Sequence, residues 1–176
     1  MSAVAVVFLA IFGTAELLTN GSGGGQGPNP LVDPPGKALP VQVIAQEWQF
    51  MYRYPTYGGV ETGQLELPVD REIELHVTSI DVIHSFWAYE LGVKADANPG
   101  VDNVVYVKAS KTRTFQIRCA ELCGLWHGYM FETGRIVPQA QFVAWIKQQQ
   151  QNWAPVAKYL PAYAKTYLPD PQRRAG

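Results

Sequence analysis

Two cysteines, a histidine and a methionine lie within one dozen residues, and these side chains are the ones that could do chemistry. The segment from Cys119 to Met130 reads CAELCGLWHGYM, so it offers two thiolates, the imidazole of His127 and a thioether. Thiolate and thioether ligands suit copper, and a thioether is a poor zinc ligand but a common weak axial ligand of copper. The segment therefore predicts a copper site. A local disulfide between Cys119 and Cys123 is the simpler alternative.

The second cysteine bears on how many metal ions such a site would hold. A mononuclear electron-transfer copper site needs one cysteine, two histidines and a weak axial ligand, so one thiolate would be left over. Two bridging sulfurs can instead join a pair of copper ions, with one histidine at each end. His127 is the only histidine in the segment, so a second must come from elsewhere.

The two remaining histidines differ in their surroundings. His76 lies within the alternating stretch EIELHV, where a hydrogen bond to a neighbour is the expected role of a strand histidine. His84 follows shortly after that stretch, and Asp81 is placed to orient its ring, as outer carboxylates commonly do for metal-bound histidines. We therefore predict that His84 is the second histidine ligand and that His76 is structural.

Composition limits the class of protein. The 176 residues suit one compact domain, and a 47% hydrophobic share with only 16% charged residues allows a packed core. The net charge is −1, without a basic block. This balance argues against nucleic-acid binding, which relies on phosphate neutralisation.

Four regions follow one another along the chain. Residues 1–19 are apolar but shorter than the roughly 20 residues of a full span, so we interpret them as the outer part of an incomplete transmembrane helix. A signal peptide is the alternative, although neither a positive n-region nor a cleavage site is visible. Residues 20–40 form a Gly/Pro-rich linker, residues 41–138 the main domain, and residues 139–176 a C-terminal helix with a Pro-containing tail.

Alternation of apolar and polar residues predicts β-strands throughout residues 41–138. The close spacing of these strands, without helical stretches between them, predicts an all-β antiparallel sandwich or barrel. Helical periodicity begins only after Pro138, and Pro155 is expected to end the helix that follows.

These motifs resemble cytochrome c oxidase subunit II, specifically its binuclear copper domain, from Val41 to about Trp145. The most specific matches are DVIHSFW at 81–87, LGVKADANPG at 91–100 and the segment from Cys119 to Met130. The resemblance implies a cupredoxin-like Greek-key β-sandwich or barrel, preceded by a partial transmembrane helix and followed by a short helix.

The resemblance also implies a copper A centre of two copper ions with six ligand residues. These are the bridging thiolates of Cys119 and Cys123, the terminal imidazoles of His84 and His127, the weak axial thioether of Met130 and the backbone carbonyl of Glu121. The family further implies a magnesium ion, held partly by the Glu121 side chain, at the interface with the catalytic subunit.

Trp48 matches the family's tryptophan at which electrons enter from cytochrome c, whereas Trp87 and Trp126 are expected to shield the metal from water. The resemblance implies electron transfer to haem in subunit I, with oxygen reduction and proton translocation carried out by the complex with its other subunits. Candidates for a negative patch that steers a basic cytochrome are Glu47, Asp81, Asp96 and Asp102, for which plain solvated surface is the simpler alternative. The expected location is a bacterial inner membrane, with the copper domain on its outer, periplasmic face.

Other classes of protein fit the sequence less well. Nitrous oxide reductase carries a similar centre but joins it to a large propeller domain, for which 176 residues leave no room. A quinol-oxidising relative would have lost its copper ligands, and a copper chaperone would not need Trp48. A tetrahedral zinc site would leave Met130 unexplained.

Overall fold

The computed structural model describes residues 2–20 and 38–159 of the chain. Residues 21–37 of the predicted linker and residues 160–176 of the predicted tail lie outside this described part. A first helix, α1, runs from Ser2 to Asn20. Among the described residues, no helix combines the length and the apolarity that crossing a membrane requires.

Ten strands form two five-stranded sheets, which confirms the predicted all-β fold. In the first sheet the order is β3-β2-β1-β5-β8, and in the second it is β4-β10-β9-β6-β7. The strands are β1 Leu39–Gln46, β2 Gln49–Tyr54, β3 Val60–Thr62, β4 Glu66–Pro68, β5 Ile73–Ser79, β6 His84–Ala88, β7 Val93–Ala97, β8 Asn103–Val107, β9 Arg113–Cys119 and β10 Phe131–Val137.

The sheets are mixed rather than wholly antiparallel as the strand pattern predicted. Strand β1 pairs parallel with β5, and β10 pairs parallel with β4. A parallel pair needs a long connection, whereas a short hairpin gives an antiparallel pair. Three further strands separate β1 from β5 along the chain, and five separate β4 from β10. Those long connections allow the parallel arrangement.

The core lies between the two sheets and is built by the inward-facing half of each strand. In β5 the inward residues are Ile73, Leu75 and Val77, all at most 1% exposed, as the period of two predicts. In β10 a side chain at Gly134 would overlap the ring of Phe115, its register partner in β9. Glycine at this position therefore gives the ring its place in the core.

A C-terminal helix, α2, covers one end of the sandwich. It runs from Gln139 to Ala157 and packs against β3 and β4. Its Phe142 is fully buried beside the rings of Tyr54 and Tyr57. The helix continues through Pro155, so the expectation that this proline ends it is wrong. The proline is exposed near the helix end, where the lost backbone hydrogen bond is readily replaced by water.

Candidate metal centre

Strand pairing brings the histidine and cysteine segments together at the end of the sandwich remote from α2. Strand β6 begins at His84 and β9 ends at Cys119, and these antiparallel neighbours place Phe86 opposite Cys119. The chain then loops outward and returns at Met130, whose carbonyl accepts a hydrogen bond from the Cys119 N–H at 3.0 Å. Two adjacent strand ends and one closed loop therefore define the site.

At this site four predicted ligand atoms follow one another through close contacts, and we call them the row of donors. His84 Nδ1 lies 3.9 Å from Cys119 Sγ, which lies 3.7 Å from Cys123 Sγ. Cys123 Sγ in turn lies 3.5 Å from His127 Nδ1. Each sulfur thus has one imidazole nitrogen within 3.9 Å, and the His84 donor also lies within 4.8 Å of Cys123.

The remaining two predicted ligands each approach one of the two sulfurs. The carbonyl oxygen of Glu121 lies 3.2 Å from Cys119 Sγ, and Met130 Sδ lies 3.9 Å from Cys123 Sγ. Cys123 and Met130 are only 3% and 2% exposed, although the loop around them is largely exposed. The structure therefore brings all six predicted ligand residues together around two sulfurs.

Within the described residues, His84, Cys119 and Cys123 form a group that could hold a metal ion, with ligand atoms within 4.8 Å of one another. Both cysteines are free thiols, and their separation far exceeds the roughly 2.05 Å of a disulfide bond. The local disulfide alternative therefore does not describe this structure. A pair of thiolates with imidazole and thioether neighbours is a soft donor set that suits copper.

Asp81 fixes which nitrogen of His84 faces the sulfurs. The His84 ring is fully buried, and its Nε2 lies 2.8 Å from Asp81 Oδ1. Burial alone would raise the pKa of Asp81, but hydrogen bonds from the Glu47 N–H, from His84 and from the Val82 N–H lower it overall. The ionised carboxylate holds a proton on Nε2 and leaves Nδ1 as the acceptor that a metal requires.

Without a bound metal, the Cys123 thiol holds its proton more tightly than an ordinary cysteine does. Burial, and secondarily its hydrogen bond with Cys119, raises the pKa of Cys123 well above its ordinary value. A metal ligand must be deprotonated, so the binding of a cation at this position releases a proton. Two thiolates this close together repel each other, and a cation between them offsets that repulsion.

Trp48 lies in the turn between β1 and β2 and contacts the cysteine loop directly. Its indole Nε1–H donates a hydrogen bond to the Cys123 carbonyl at 3.1 Å. Gly124 has a φ of +111°, and a side chain there would meet the indole at 3.4 Å. A glycine after Cys123 thus satisfies both the backbone conformation and the close approach of the ring.

The other predicted residues differ in burial and in their contacts. His76 is buried in β5 and shares a hydrogen bond with Asp102 at 3.0 Å, which is the structural role predicted for it. Asp102 is only 8% exposed, so it is neither solvated surface nor an exposed member of an acidic patch, the two alternatives for it. Trp87 is 40% exposed and alternates with inward-facing His84 and Phe86, so it does not shield the site as expected.

One residue of this region was missed by the sequence reasoning. Glu132 follows Met130 in β10 and turns into the protein, where it accepts hydrogen bonds from the first sheet. Burial raises the pKa of Glu132 despite those hydrogen bonds. Its position two residues before Gly134 and four before Ile136, on the inward face, was the available indication.

Comparison with known proteins gives a consistent result. A family model described as cytochrome c oxidase subunit II, periplasmic domain, matches residues 60–137. The cytochrome c oxidase subunit 2 of Thermostichus vulcanus is 36% identical over 126 residues, which make up 72% of this chain. The aligned part is 38% of that relative, so the chain spans well under two thirds of its length.

Two solved structures share the fold. The periplasmic domain of subunit II of cytochrome oxidase of Bradyrhizobium japonicum is 31% identical with a TM-score of 0.64, over 67% of this chain and 97% of that one. A mixed disulfide between a thioredoxin-like protein and subunit II of cytochrome c oxidase gives 31% identity and a TM-score of 0.61, over 68% and 96% of the two chains.

Proposed function

The chain belongs to the cytochrome c oxidase subunit II family, and from this premise we propose that its β-domain holds a binuclear copper A centre. In this proposal the centre accepts electrons from cytochrome c and passes them to haem in subunit I of a terminal oxidase. The chain itself makes and breaks no bonds of the substrate, and oxygen reduction belongs to the complex.

The observation that carries the proposal is the row of donors His84, Cys119, Cys123 and His127. Two sulfurs flanked by two imidazoles fit a pair of metal ions bridged by thiolates, with one histidine on each ion. The Met130 thioether and the Glu121 carbonyl then provide one further weak donor beside each sulfur. Six donor residues around a pair of sulfurs exceed what a mononuclear copper site requires.

The bound copper pair supplies a one-electron couple whose charge is shared by two ions. The protein's contribution is rigidity, because ligands that keep their places on reduction lower the reorganisation that each electron transfer requires. Adjacent strands hold His84 and Cys119, and Asp81 fixes the His84 ring. The buried Cys123 and Met130 are also protected from water by the fold.

We place electron entry at Trp48. The hydrogen bond from its indole to the Cys123 carbonyl is a direct link between the β1–β2 turn and a proposed bridging ligand. The half-buried ring is reachable from outside, so a docked cytochrome c could approach it.

Further parts of the proposal concern the assembly. The exposed Glu121 side chain is available for a magnesium ion at the interface with subunit I. Residues 1–19 would attach the chain to a bacterial inner membrane, with the copper domain on its periplasmic face. The periplasmic domains among its relatives support this orientation.

Electron entry is tested by comparing Trp48→Phe with the unchanged chain after copper loading. With a purified mitochondrial cytochrome c as donor, stopped-flow reduction of the centre should slow by roughly tenfold or more, as expected when a positioned group is lost. The copper absorption spectrum should stay the same. Trp87→Phe is the matched control, because that ring is exposed on the outer face of the second sheet. Equal rates for all three proteins would show that electrons enter elsewhere.

A further inference from the structure

The β1–β2 turn that carries Trp48 is tied to the metal site by more than the indole. The backbone N–H of Glu47 donates to Asp81 Oδ2 at 2.6 Å, and Asp81 also binds His84. The Trp48 indole donates to the Cys123 carbonyl at 3.1 Å. The turn is thus hydrogen-bonded at Glu47 to the segment of His84 and at Trp48 to the segment of Cys123.

Glu132, two residues after Met130, adds a third connection, to the strand β2 that follows the turn. Glu132 Oε1 accepts the backbone N–H of Phe50 at 2.9 Å, and its Oε2 accepts the hydroxyl of Tyr52 at 2.8 Å. Both carboxyl oxygens of Glu132, in the second sheet, therefore accept hydrogen bonds from two alternate residues of β2, in the first sheet. Phe50 and Tyr52 are both fully buried.

Phe50 depends on this side chain for its backbone hydrogen bond. Strand β3 pairs with β2 only at Tyr52 and beyond, so within residues 38–159 the edge of β2 at Phe50 has no neighbouring strand on that side. A buried N–H without an acceptor costs about 1–3 kcal/mol. Glu132 supplies the acceptor from the opposite sheet.

The same two residues also pack against the histidine strand. The rings of Phe50 and Tyr52 meet the ring of Phe86 at centroid distances of 5.5 and 6.5 Å, both edge-on. Phe86 lies two residues after His84 in β6. Loss of the Glu132 carboxyl would free the start of β2 while leaving the six proposed ligands in their own strands and loop.

We propose that Glu132 is a positioning residue, which fixes the Trp48 turn against the cysteine loop and so sets the rate of electron entry. This inference rests on the proposed function, since it presumes entry at Trp48. The two carboxyl hydrogen bonds of Glu132 reach β2 directly after the turn, and neither of them reaches a proposed metal ligand. Its removal should therefore change electron entry and leave the metal site intact.

The test uses the full chain loaded with copper and four variants. Glu132→Leu removes both acceptors, and Glu132→Asp keeps the carboxylate but shortens its reach by one methylene, so it replaces the Leu variant if that variant fails to fold. Glu132→Gln keeps an amide oxygen for the Phe50 N–H, and Tyr52→Phe removes only the hydroxyl contact. Reduction by cytochrome c should slow by roughly tenfold in Glu132→Leu and several-fold in Glu132→Asp. It should stay within about twofold of normal in the two conservative variants.

Two further readouts separate positioning from general damage. Copper content and reduction by the small complex hexaammineruthenium(II), which needs no docking site, should be unchanged in every variant. In the metal-free full chain, the ¹⁵N NMR signal of the Trp48 indole N–H, assigned by its loss in Trp48→Phe, should shift and exchange faster in Glu132→Leu.

The outcomes distinguish the positioning role of Glu132 from electron entry at Trp48. Normal entry from cytochrome c and an unmoved indole signal in Glu132→Leu, or in Glu132→Asp where the Leu variant does not fold, would overturn the positioning role. A normal entry rate in Trp48→Phe would instead overturn entry at Trp48. The indole signal would still decide whether Glu132 positions the turn.

Discussion

The two ends of the β-sandwich are stabilised in different ways. At the end covered by α2, aromatic rings pack on one another: Phe142 lies 6.1 Å from Tyr54 and 6.0 Å from Trp145 between ring centroids. At the other end, donor atoms of His84 and the cysteine loop lie 3.5–3.9 Å apart without a covalent bond between them. Ring packing stabilises one end, and the other end brings soft donor atoms together.

Surface exposure shows the same contrast. In the cysteine loop Leu122, Leu125 and Tyr129 are 78%, 82% and 71% exposed, whereas Phe142 and Ile146 of α2 are fully buried. Apolar side chains normally contribute to stability when they are buried, so the exposed ones at the metal end are available to partners. Stability and chemistry are therefore concentrated at opposite ends, and substitutions should be able to separate them.

The largest expected effect is the loss of the metal centre in Cys123→Ser. A hydroxyl is a poor bridging ligand for copper, so the chain should no longer bind two copper ions. The free energy of unfolding of the metal-free chain should change by less than about 1 kcal/mol, because the two side chains are similar in size. Metal analysis and denaturant titration measure the two effects. A variant that keeps two coppers and an unchanged spectrum would refute the bridging role of Cys123.

At the opposite end, Phe142→Ala should have the reverse effect. Removal of a fully buried aromatic ring costs about 3–5 kcal/mol of folding stability, measured by denaturant unfolding of the metal-free chain. The fraction that remains folded should still load copper normally. Val156→Ala, at a half-exposed position of the same helix, is the control and should cost less than about 0.5 kcal/mol. Loss of copper from folded Phe142→Ala would show that the two ends are not separable.

Between the two ends, Gly134→Ala tests the packing of the sheets. The new methyl group would overlap the Phe115 ring, so we expect a loss of about 1–3 kcal/mol from overpacking. Phe115→Leu in the same chain should restore part of that loss, because the ring is what the methyl group meets. A double variant no more stable than Gly134→Ala would mean that the backbone of β10, rather than the ring, resists the change.

An effect similar in size to that of Gly134→Ala is expected for Tyr54→Phe. The Tyr54 hydroxyl donates to the Glu66 carbonyl at 2.9 Å and accepts the Glu66 N–H at 3.1 Å, so its removal should cost about 1–3 kcal/mol. Copper binding should be unaffected.

The same residue gives a pH dependence. Burial raises the pKa of Tyr54 above its ordinary value of 10.0, so above pH 10 the unfolded chain loses this proton while the folded chain keeps it. Stability should therefore fall as the pH rises beyond about 10, by up to about 1.4 kcal/mol per pH unit for each such group. Tyr54→Phe should weaken that decline. An identical alkaline decline in both chains would assign it to other groups.

Local patterns were sufficient to predict some of these features from the sequence. Alternation in stretches such as 73–77 predicted the strands, and the spacing of Cys119, Cys123 and His127 placed three donors in one loop. His84 was chosen over His76 from its neighbour Asp81, and the structure places its ring nitrogen beside Cys119.

The features that were missed depend on contacts between distant segments. The Glu132 carboxyl joins two sheets, and Asp102 is buried because His76 lies on the adjacent strand. The parallel pairing of β1 with β5 is likewise a result of how the long connections run. From their neighbours in sequence alone, Glu132 and Asp102 resemble ordinary surface residues, and β1 and β5 resemble ordinary strands with no indicated direction of pairing.

The central claim is that the row of donors holds two copper ions that share one electron. Electron paramagnetic resonance with metal analysis on the full chain, loaded with copper, tests it most directly. We predict two coppers per chain and a single unpaired electron whose hyperfine pattern shows equal coupling to both copper nuclei. One copper per chain with coupling to a single nucleus, or zinc in place of copper, would contradict the account.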